Sequence, residues 1–150
     1  MIDIKEITDH FAVAGQIKTS DMQAIKAWGA KLLINNRPDG EPGFNVHSSI
    51  IETASQENQL DYIHLPVIAS QLSMSNISAM AKAVNVCDGK VLAFCRTGTR
   101  CTYLWALMQP PHISTSTIIS MAAVAGYDLE NLRGLLNQLR DRYSMPPNLN

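Results

Sequence analysis

Cys95 and Arg100 are the residues of this chain whose types and spacing point most directly to chemistry. Four residues separate them, directly after an apolar run. A thiolate is a strong nucleophile. A guanidinium is a planar, permanently charged fork that fits two oxygens of one anion. The pair therefore indicates a nucleophile placed beside an anion clamp.

The loop between these two residues is expected to bind the anion. The run 91–94 predicts a buried strand, and the segment 100–108 predicts a helix. A loop that enters a helix collects unpaired N–H groups and the positive end of the helix dipole, which attract anions and lower the pKa of a thiol. Gly98 permits the turn and a close approach of backbone to ligand. The anion-binding candidates are Arg96, Thr97, Gly98, Thr99 and Arg100, with Arg37 as a further candidate.

A second interpretation of Cys95 is structural, because a cysteine that ends a buried strand is commonly a small core residue. The glycine and the arginine at this spacing, after a strand and before a helix, favour the reactive thiol.

Alternating strands and helices must position this loop. The predicted strands are 11–14, 31–35, 61–65 and the run that ends at 95. The predicted helices begin near 20, 48, 73, 100, 114 and 128. This order is typical of a single α/β domain over 1–150, with a mainly parallel central sheet flanked by helices. Ligands of such sheets bind beyond the carboxyl ends of the strands, so the loops 36–43, 66–72 and 95–100 are expected to meet there.

Composition narrows the classes of function. The chain has 150 residues, of which 46% are hydrophobic and 17% charged, with a formal net charge of −1. That balance offers no basic field for nucleic acid or anionic lipid. Three cysteines imply no disulfide framework, and a loop thiol suits a reducing cytoplasm. No targeting or membrane-spanning segment is expected from this sequence.

The histidines and the remaining cysteine suggest no further site. His10, His47 and Cys87 lack metal-ligand spacing with the other cysteines, so neither a metal nor a cofactor is expected. His64 alternates with apolar residues and is interpreted as a hydrogen-bonded sheet histidine. Two tryptophans, Trp28 and Trp105, are predicted to lie in the core. The oligomeric state is left open.

Four runs of sequence together resemble the phosphatase-like domain of the beta-lactamase-hydrolase-like family, a bacterial domain related to the cysteine-dependent tyrosine and dual-specificity phosphatases. In order they are FAVAGQI, LLINNRPDGE, YIHLPV and LAFCRTGTRCTYLWAL. The resemblance covers residues 1–110 well and the last two helices loosely. It implies a cysteine-phosphatase fold, with Cys95 as the nucleophile, Arg100 as the anion-clamping arginine and 96–99 as the anion loop.

The sequence departs from the phosphatase pattern in three ways. Phosphatases place five residues between cysteine and arginine, whereas four stand here, as in rhodanese-type sulfurtransferases. The segment 67–71 contains no acid where phosphatases usually carry one. Cys101 replaces a serine or threonine, and it is interpreted either as a buried helix residue or as a partner for a protective disulfide with Cys95.

Two carboxylates are candidates for the general acid that a phosphatase needs. Asp39 ranks ahead of Glu41, although Pro-Asp-Gly is also a turn signature. Arg37 is expected either to hold the anion or to pair with an acid.

Three functions stay open, and all three imply a small anionic or phosphorylated ligand. The first is phosphate-monoester hydrolysis through a cysteinyl phosphate. The second is sulfur transfer through a Cys95 persulfide, in which the leaving group needs little protonation. The third is a non-catalytic module that binds phosphorylated ligands.

Overall fold

Apolar runs bounded by turn residues become the inner strands of a five-stranded sheet in the computed structural model, which describes residues 1–144. The strands are β1 (Lys5–Glu6), β2 (Phe11–Ala14), β3 (Ala30–Asn35), β4 (Asp61–His64) and β5 (Lys90–Phe94). Their spatial order is β1-β2-β5-β3-β4, and only β1 runs antiparallel to its neighbour. β5 lies between β2 and β3, and helices cover both of its faces, which explains its unbroken apolar run.

Six α-helices lie among the described residues. They are α1 (Met22–Trp28), α2 (Ser48–Glu57), α3 (Met74–Val86), α4 (Thr99–Met108), α5 (Thr115–Val124) and α6 (Arg133–Ser144). Side-chain caps fix several starts: Ser73 accepts from the Asn76 amide and Ser114 accepts from the Thr117 amide. The predicted α/β architecture is confirmed.

The alternation of side chains along the strands divides the core between the two faces of the sheet. On one face, Leu33, Leu92 and Phe94 pack with residues of α1 and α2. On the other face, strand residues pack with α3, α4, α5 and α6. The residue after β5, Cys95, belongs to this second cluster. The period of the strand therefore directs the thiol towards α4.

Three details differ from the sequence prediction. The polar two-residue strand β1 was not predicted. Trp28 is half-buried rather than enclosed in the core, because its ring lies under Lys90 and its Nε1 donates to Glu6. The last helix opens with a 3-10 turn at Glu130–Leu132, whose first amide donates to Asp128. The tail 145–147, predicted to be irregular, lies outside the described residues.

Trp105 and His64 occupy the places predicted for them. Trp105 is buried in the core, and the His64 Nε2 lies 2.8 Å from the Arg37 carbonyl. No helix within residues 1–144 combines the length and the apolar character needed to cross a membrane. Over the same residues, no three His, Cys, Asp or Glu side chains come together as a metal site.

Candidate active site

Three loops at the carboxyl ends of the parallel strands meet at Arg100. Its Nη1 and Nη2 donate to the Glu41 carboxylate at 2.6 and 2.8 Å, and Nη1 also donates to the Val67 carbonyl at 2.9 Å. Glu41 lies in the loop after β3, Val67 lies in the loop after β4, and Arg100 lies in the first turn of α4. The predicted convergence of loops 36–43, 66–72 and 95–100 is therefore present.

Cys95 occupies the base of the loop that joins β5 to α4. Its side chain is almost fully buried, and its amide donates to the Ala14 carbonyl of β2 at 3.3 Å. The Gly98 amide turns back and donates to the Cys95 Sγ at 3.1 Å. Gly98 has φ of 90°, in the left-handed region that favours glycine. The turn thus aims a backbone donor at the sulfur.

Hydrogen bonding makes Cys95 an acidic thiol. Its pKa falls to about 5, first because the Cys101 thiol donates to it, with further lowering by the backbone amides of 97, 98 and 101; burial opposes this shift. At neutral pH the thiolate is therefore the dominant form, as the sequence led us to expect. Burial raises the pKa of Cys101 well above its ordinary value, so that thiol keeps its proton.

Cys101 lies in the first turn of α4 and is fully buried in the core. This placement agrees with the interpretation of Cys101 as a buried helix residue. Cys101 also contacts Cys95, as the disulfide interpretation would require. The two cysteines are free thiols in this structure. Formation of a disulfide between them stays a prediction.

Glu41 links two arginines. Besides Arg100, it accepts from the Arg37 Nε at 3.0 Å. The donation from Arg100, followed by that from Arg37, holds the pKa of Glu41 below its usual range against the opposing effect of burial. Arg100 in turn has a raised pKa, first through Glu41 and also through the neighbouring Cys95 thiolate. One guanidinium thus interacts with both the Glu41 carboxylate and the Cys95 thiolate.

The Arg37 guanidinium has internal partners at each of its nitrogens. The side chain is 1% exposed. Its Nε reaches Glu41, its Nη1 reaches the Gln16 amide oxygen and the Phe44 carbonyl, and its Nη2 reaches the Pro42 carbonyl. Of the two expectations, pairing with an acid is the one observed. The buried charge is offset by these acceptors, and it fixes the path of the loop 36–43.

Asp39 contacts the start of α2, and its role as general acid stays a prediction. Its Oδ1 accepts from the Ser48 amide at 2.8 Å, and its Oδ2 lies 3.4 Å from the His47 Nε2. Both oxygens therefore contact the start of α2 rather than the anion loop. Asp39 stabilises a helix N-terminus, a role that the turn signature allowed. The residue ranked below it, Glu41, is the carboxylate that contacts Arg100.

The other loop residues form the outer rim and the support of the site. Arg96 and Thr97 are exposed, and the Thr97 and Thr99 hydroxyl oxygens lie 3.0 Å apart. The Thr97 carbonyl accepts from the Tyr127 hydroxyl at 2.9 Å. Sequence reasoning gave no role to Tyr127 or to Gln16, although Gln16 stands within the run FAVAGQI. Only a three-dimensional contact identifies them.

The model of the family described as "Beta-lactamase hydrolase-like protein, phosphatase-like domain" matches residues 3–112. Two curated relatives carry the name beta-lactamase hydrolase-like protein. The one from Agrobacterium fabrum is 30% identical over 82% of this chain, and the one from Xylella fastidiosa is 28% identical over 84%. The matched regions are 29% and 30% of those proteins, so this chain spans less than a third of their length.

Solved structures show the same fold. A candidate phosphatase from Neisseria meningitidis superposes with a TM-score of 0.83 and 29% identity, covering 91% of this chain and 98% of its own. TpbA of Pseudomonas aeruginosa, solved in complex with phosphotyrosine, gives 0.68 at 10% identity over 97% and 92% of the two chains. The second likeness concerns the fold alone. From the family match over most of its length, this chain belongs to the phosphatase-like domain family of the beta-lactamase hydrolase-like proteins.

Proposed function

We propose that this protein hydrolyses phosphate monoesters through a phosphorylated Cys95. The observation that carries the proposal is the acidic Cys95 thiol at the base of a loop closed by Arg100. The thiolate attacks phosphorus, the bond from phosphorus to the ester oxygen breaks, and the alcohol leaves as an alkoxide that takes a proton. Water then attacks the thiophosphate, which releases inorganic phosphate and restores the thiolate.

Arg100 and the amides of residues 96–100 hold the phosphoryl oxygens in this proposal. The Gly98 amide stabilises the thiolate, both before attack and as the leaving group of the second step. The complex of TpbA with phosphotyrosine supports a small phosphorylated ligand for a loop on this fold. A reducing compartment such as the cytoplasm suits the free thiols of Cys95 and Cys101.

The leaving group sets the range of substrates. Glu41 has a lowered pKa and is paired with two arginines, so it is a poor proton donor. Asp39 contacts α2 instead. A general acid typically contributes ~10²–10⁴-fold. Without help from these two carboxylates, the enzyme should favour aryl phosphates, whose phenolate leaves readily, over alkyl phosphates.

A specific observation favours a second function, sulfur transfer. Four residues separate Cys95 from Arg100, which is the spacing seen in rhodanese-type loops. In that reaction the thiolate attacks the outer sulfur of thiosulfate, sulfite leaves with the electron pair of the broken bond, and the Cys95 persulfide passes its sulfur to an acceptor. No proton donor is needed, which fits the arrangement of Asp39 and Glu41.

Two assays on one preparation decide between these reactions. We expect hydrolysis of p-nitrophenyl phosphate that disappears in Cys95→Ser, while that variant stays folded and still binds inorganic phosphate. Hydrolysis that survives Cys95→Ser would exclude Cys95 as the nucleophile. Transfer of sulfur from thiosulfate to cyanide, with a Cys95 persulfide and no phosphatase activity, would establish the second function. Phosphopeptide binding with neither activity would indicate a binding module.

A further inference from the structure

Tyr127 connects the carboxyl-terminal helices to the anion loop. It stands in the segment between α5 and α6, beyond the residues 3–112 that match the family model. The residue is 8% exposed, and its hydroxyl donates to the Thr97 carbonyl at 2.9 Å. The Lys5 Nζ lies over the ring, 5.0 Å from its centroid, so the ring is also contacted from β1. A buried phenol held in this way is a fixed donor.

The acceptor of that hydrogen bond belongs to the peptide group that also contacts the nucleophile. The carbonyl of Thr97 and the amide of Gly98 are the two ends of one planar peptide unit. At one end it accepts from Tyr127, and at the other it donates to the Cys95 Sγ at 3.1 Å. A peptide whose carbonyl accepts a hydrogen bond is polarised, and its N–H becomes a stronger donor. We propose that Tyr127 is a positioning residue for Cys95, acting through the Thr97–Gly98 peptide.

The packing around Gly98 supports this role. A Cβ at Gly98 would overlap the Tyr127 hydroxyl and would lie 3.4 Å from the Ala14 carbonyl. The phenol therefore occupies the space that a side chain on the loop would need. The peptide is confined on the Tyr127 side, so its N–H has little freedom to turn away from the sulfur.

Tyr127 stays a neutral donor while Cys95 titrates. Burial, followed by repulsion from the Cys95 thiolate, raises the pKa of Tyr127 to about 12. The other groups that act on the thiolate are the Arg100 side chain, the Cys101 thiol and the backbone amides of residues 97 and 101. All of them are kept when only the phenol hydroxyl is removed, so the contribution of Tyr127 can be measured with these groups in place.

The test is Tyr127→Phe, which removes the hydroxyl and keeps the ring under Lys5. The readout is the pKa of Cys95, followed by the ultraviolet absorbance of the thiolate, with Cys95→Ser as the blank. We expect the pKa to rise by about one unit, since a hydrogen bond that stabilises the charged form is weakened. A matched control is Tyr103→Phe, whose hydroxyl accepts from the Asn131 side chain and does not contact the loop.

An unchanged Cys95 pKa in a folded Tyr127→Phe variant, or an equal rise in Tyr103→Phe, would overturn the proposal. A purely structural role would lower the melting temperature and leave the pKa unmoved. If Tyr127→Phe folds poorly, fluorotyrosine incorporated throughout the chain gives a full-size ring with a stronger donor. The Cys95 pKa should then fall, and a constant value would again contradict the proposal. The readout is ionisation rather than turnover, so it is independent of whether phosphate is the substrate.

Discussion

The two ends of the parallel sheet differ in how far their charged side chains are buried and paired. At the carboxyl end, Arg37 is fully buried, and the mostly buried Glu41 pairs with both Arg37 and Arg100. At the amino end lies a cleft of about 810 Å³, whose lining includes the exposed Lys31 and His112. Cavity volume alone would select the amino end as the binding site. The arrangement of charge selects the carboxyl end, where the acidic thiol lies.

The difference has a physical cause. A buried charge costs several kcal/mol unless fixed partners replace its water. The Arg37 guanidinium has such partners at each nitrogen, and they leave it no freedom to rotate. The charged groups lining the cleft keep their water, apart from Lys90, which donates to the Trp28 carbonyl and covers the Trp28 ring. Preorganised charge thus favours the carboxyl end over the cleft as the proposed reaction site.

Replacing Arg37 should give the largest change in stability at the carboxyl end. Arg37→Met removes a buried charge from Glu41 and leaves the Pro42 and Phe44 carbonyls without their donor. We expect the free energy of unfolding to fall by about 3–5 kcal/mol in urea titrations. The matched control is Arg96→Met, an exposed arginine of the same site, which should cost under about 0.5 kcal/mol. Similar losses of unfolding free energy in both variants would show that the buried pairing of Arg37 does not stabilise the fold more than an exposed arginine does.

Replacing each acid of the loop 36–43 by its amide distinguishes the roles of Glu41 and Asp39. Glu41→Gln keeps the size of the side chain but removes the charge that orients Arg100, so turnover of p-nitrophenyl phosphate should fall about 100-fold. Asp39→Asn should cost about 1 kcal/mol of stability through the start of α2, with little loss of turnover. The reverse pattern, an inactive Asp39→Asn beside an active Glu41→Gln, would return Asp39 to the role of general acid.

The Cys101 thiol should set the ionisation of Cys95. The thiolate fraction of the native protein should rise through pH about 5, because its lowered pKa makes it charged above that value. Cys101→Ala removes the donor and should move this midpoint up by about one unit. Cys101→Ser keeps a donor and should leave the midpoint low. Equal midpoints in Cys101→Ala and the native chain would remove Cys101 from the thiolate's environment.

The smallest effect is expected at the amino end. His112→Ala, in the lining of the cleft, should change stability by less than about 0.5 kcal/mol and leave both turnover and the Cys95 pKa unaltered. A large loss of turnover would show that the cleft acts on the loop, and the contrast between the two ends would fail.

Local pattern was enough to predict the strand before Cys95, the helix after it and the meeting of three loops. Each depends on residues close in sequence, through an apolar run, a glycine or a cap. The residue pattern could not show that Glu41 is the carboxylate that contacts Arg100. Asp39 and Glu41 stand in one turn-rich stretch, where the path of the backbone decides which carboxylate reaches that arginine. Pairing of Arg37 with an acid was one of two expectations, but its contact with Gln16 was beyond such reasoning because the two residues lie far apart along the chain. The same holds for Tyr127 and its partner Thr97.

The contact between Tyr127 and the anion loop also bears on how this protein can be shortened. The family model matches residues 3–112, which invites a minimal fragment cut at that point. Such a fragment would expose the core face now covered by Ile118 and Leu136 from α5 and α6. It would also lose the phenol that contacts the loop. The segment matched by the family model and the smallest unit that can be excised are therefore different, and a fragment intended to keep both the covered core and the Tyr127 contact must extend through α6.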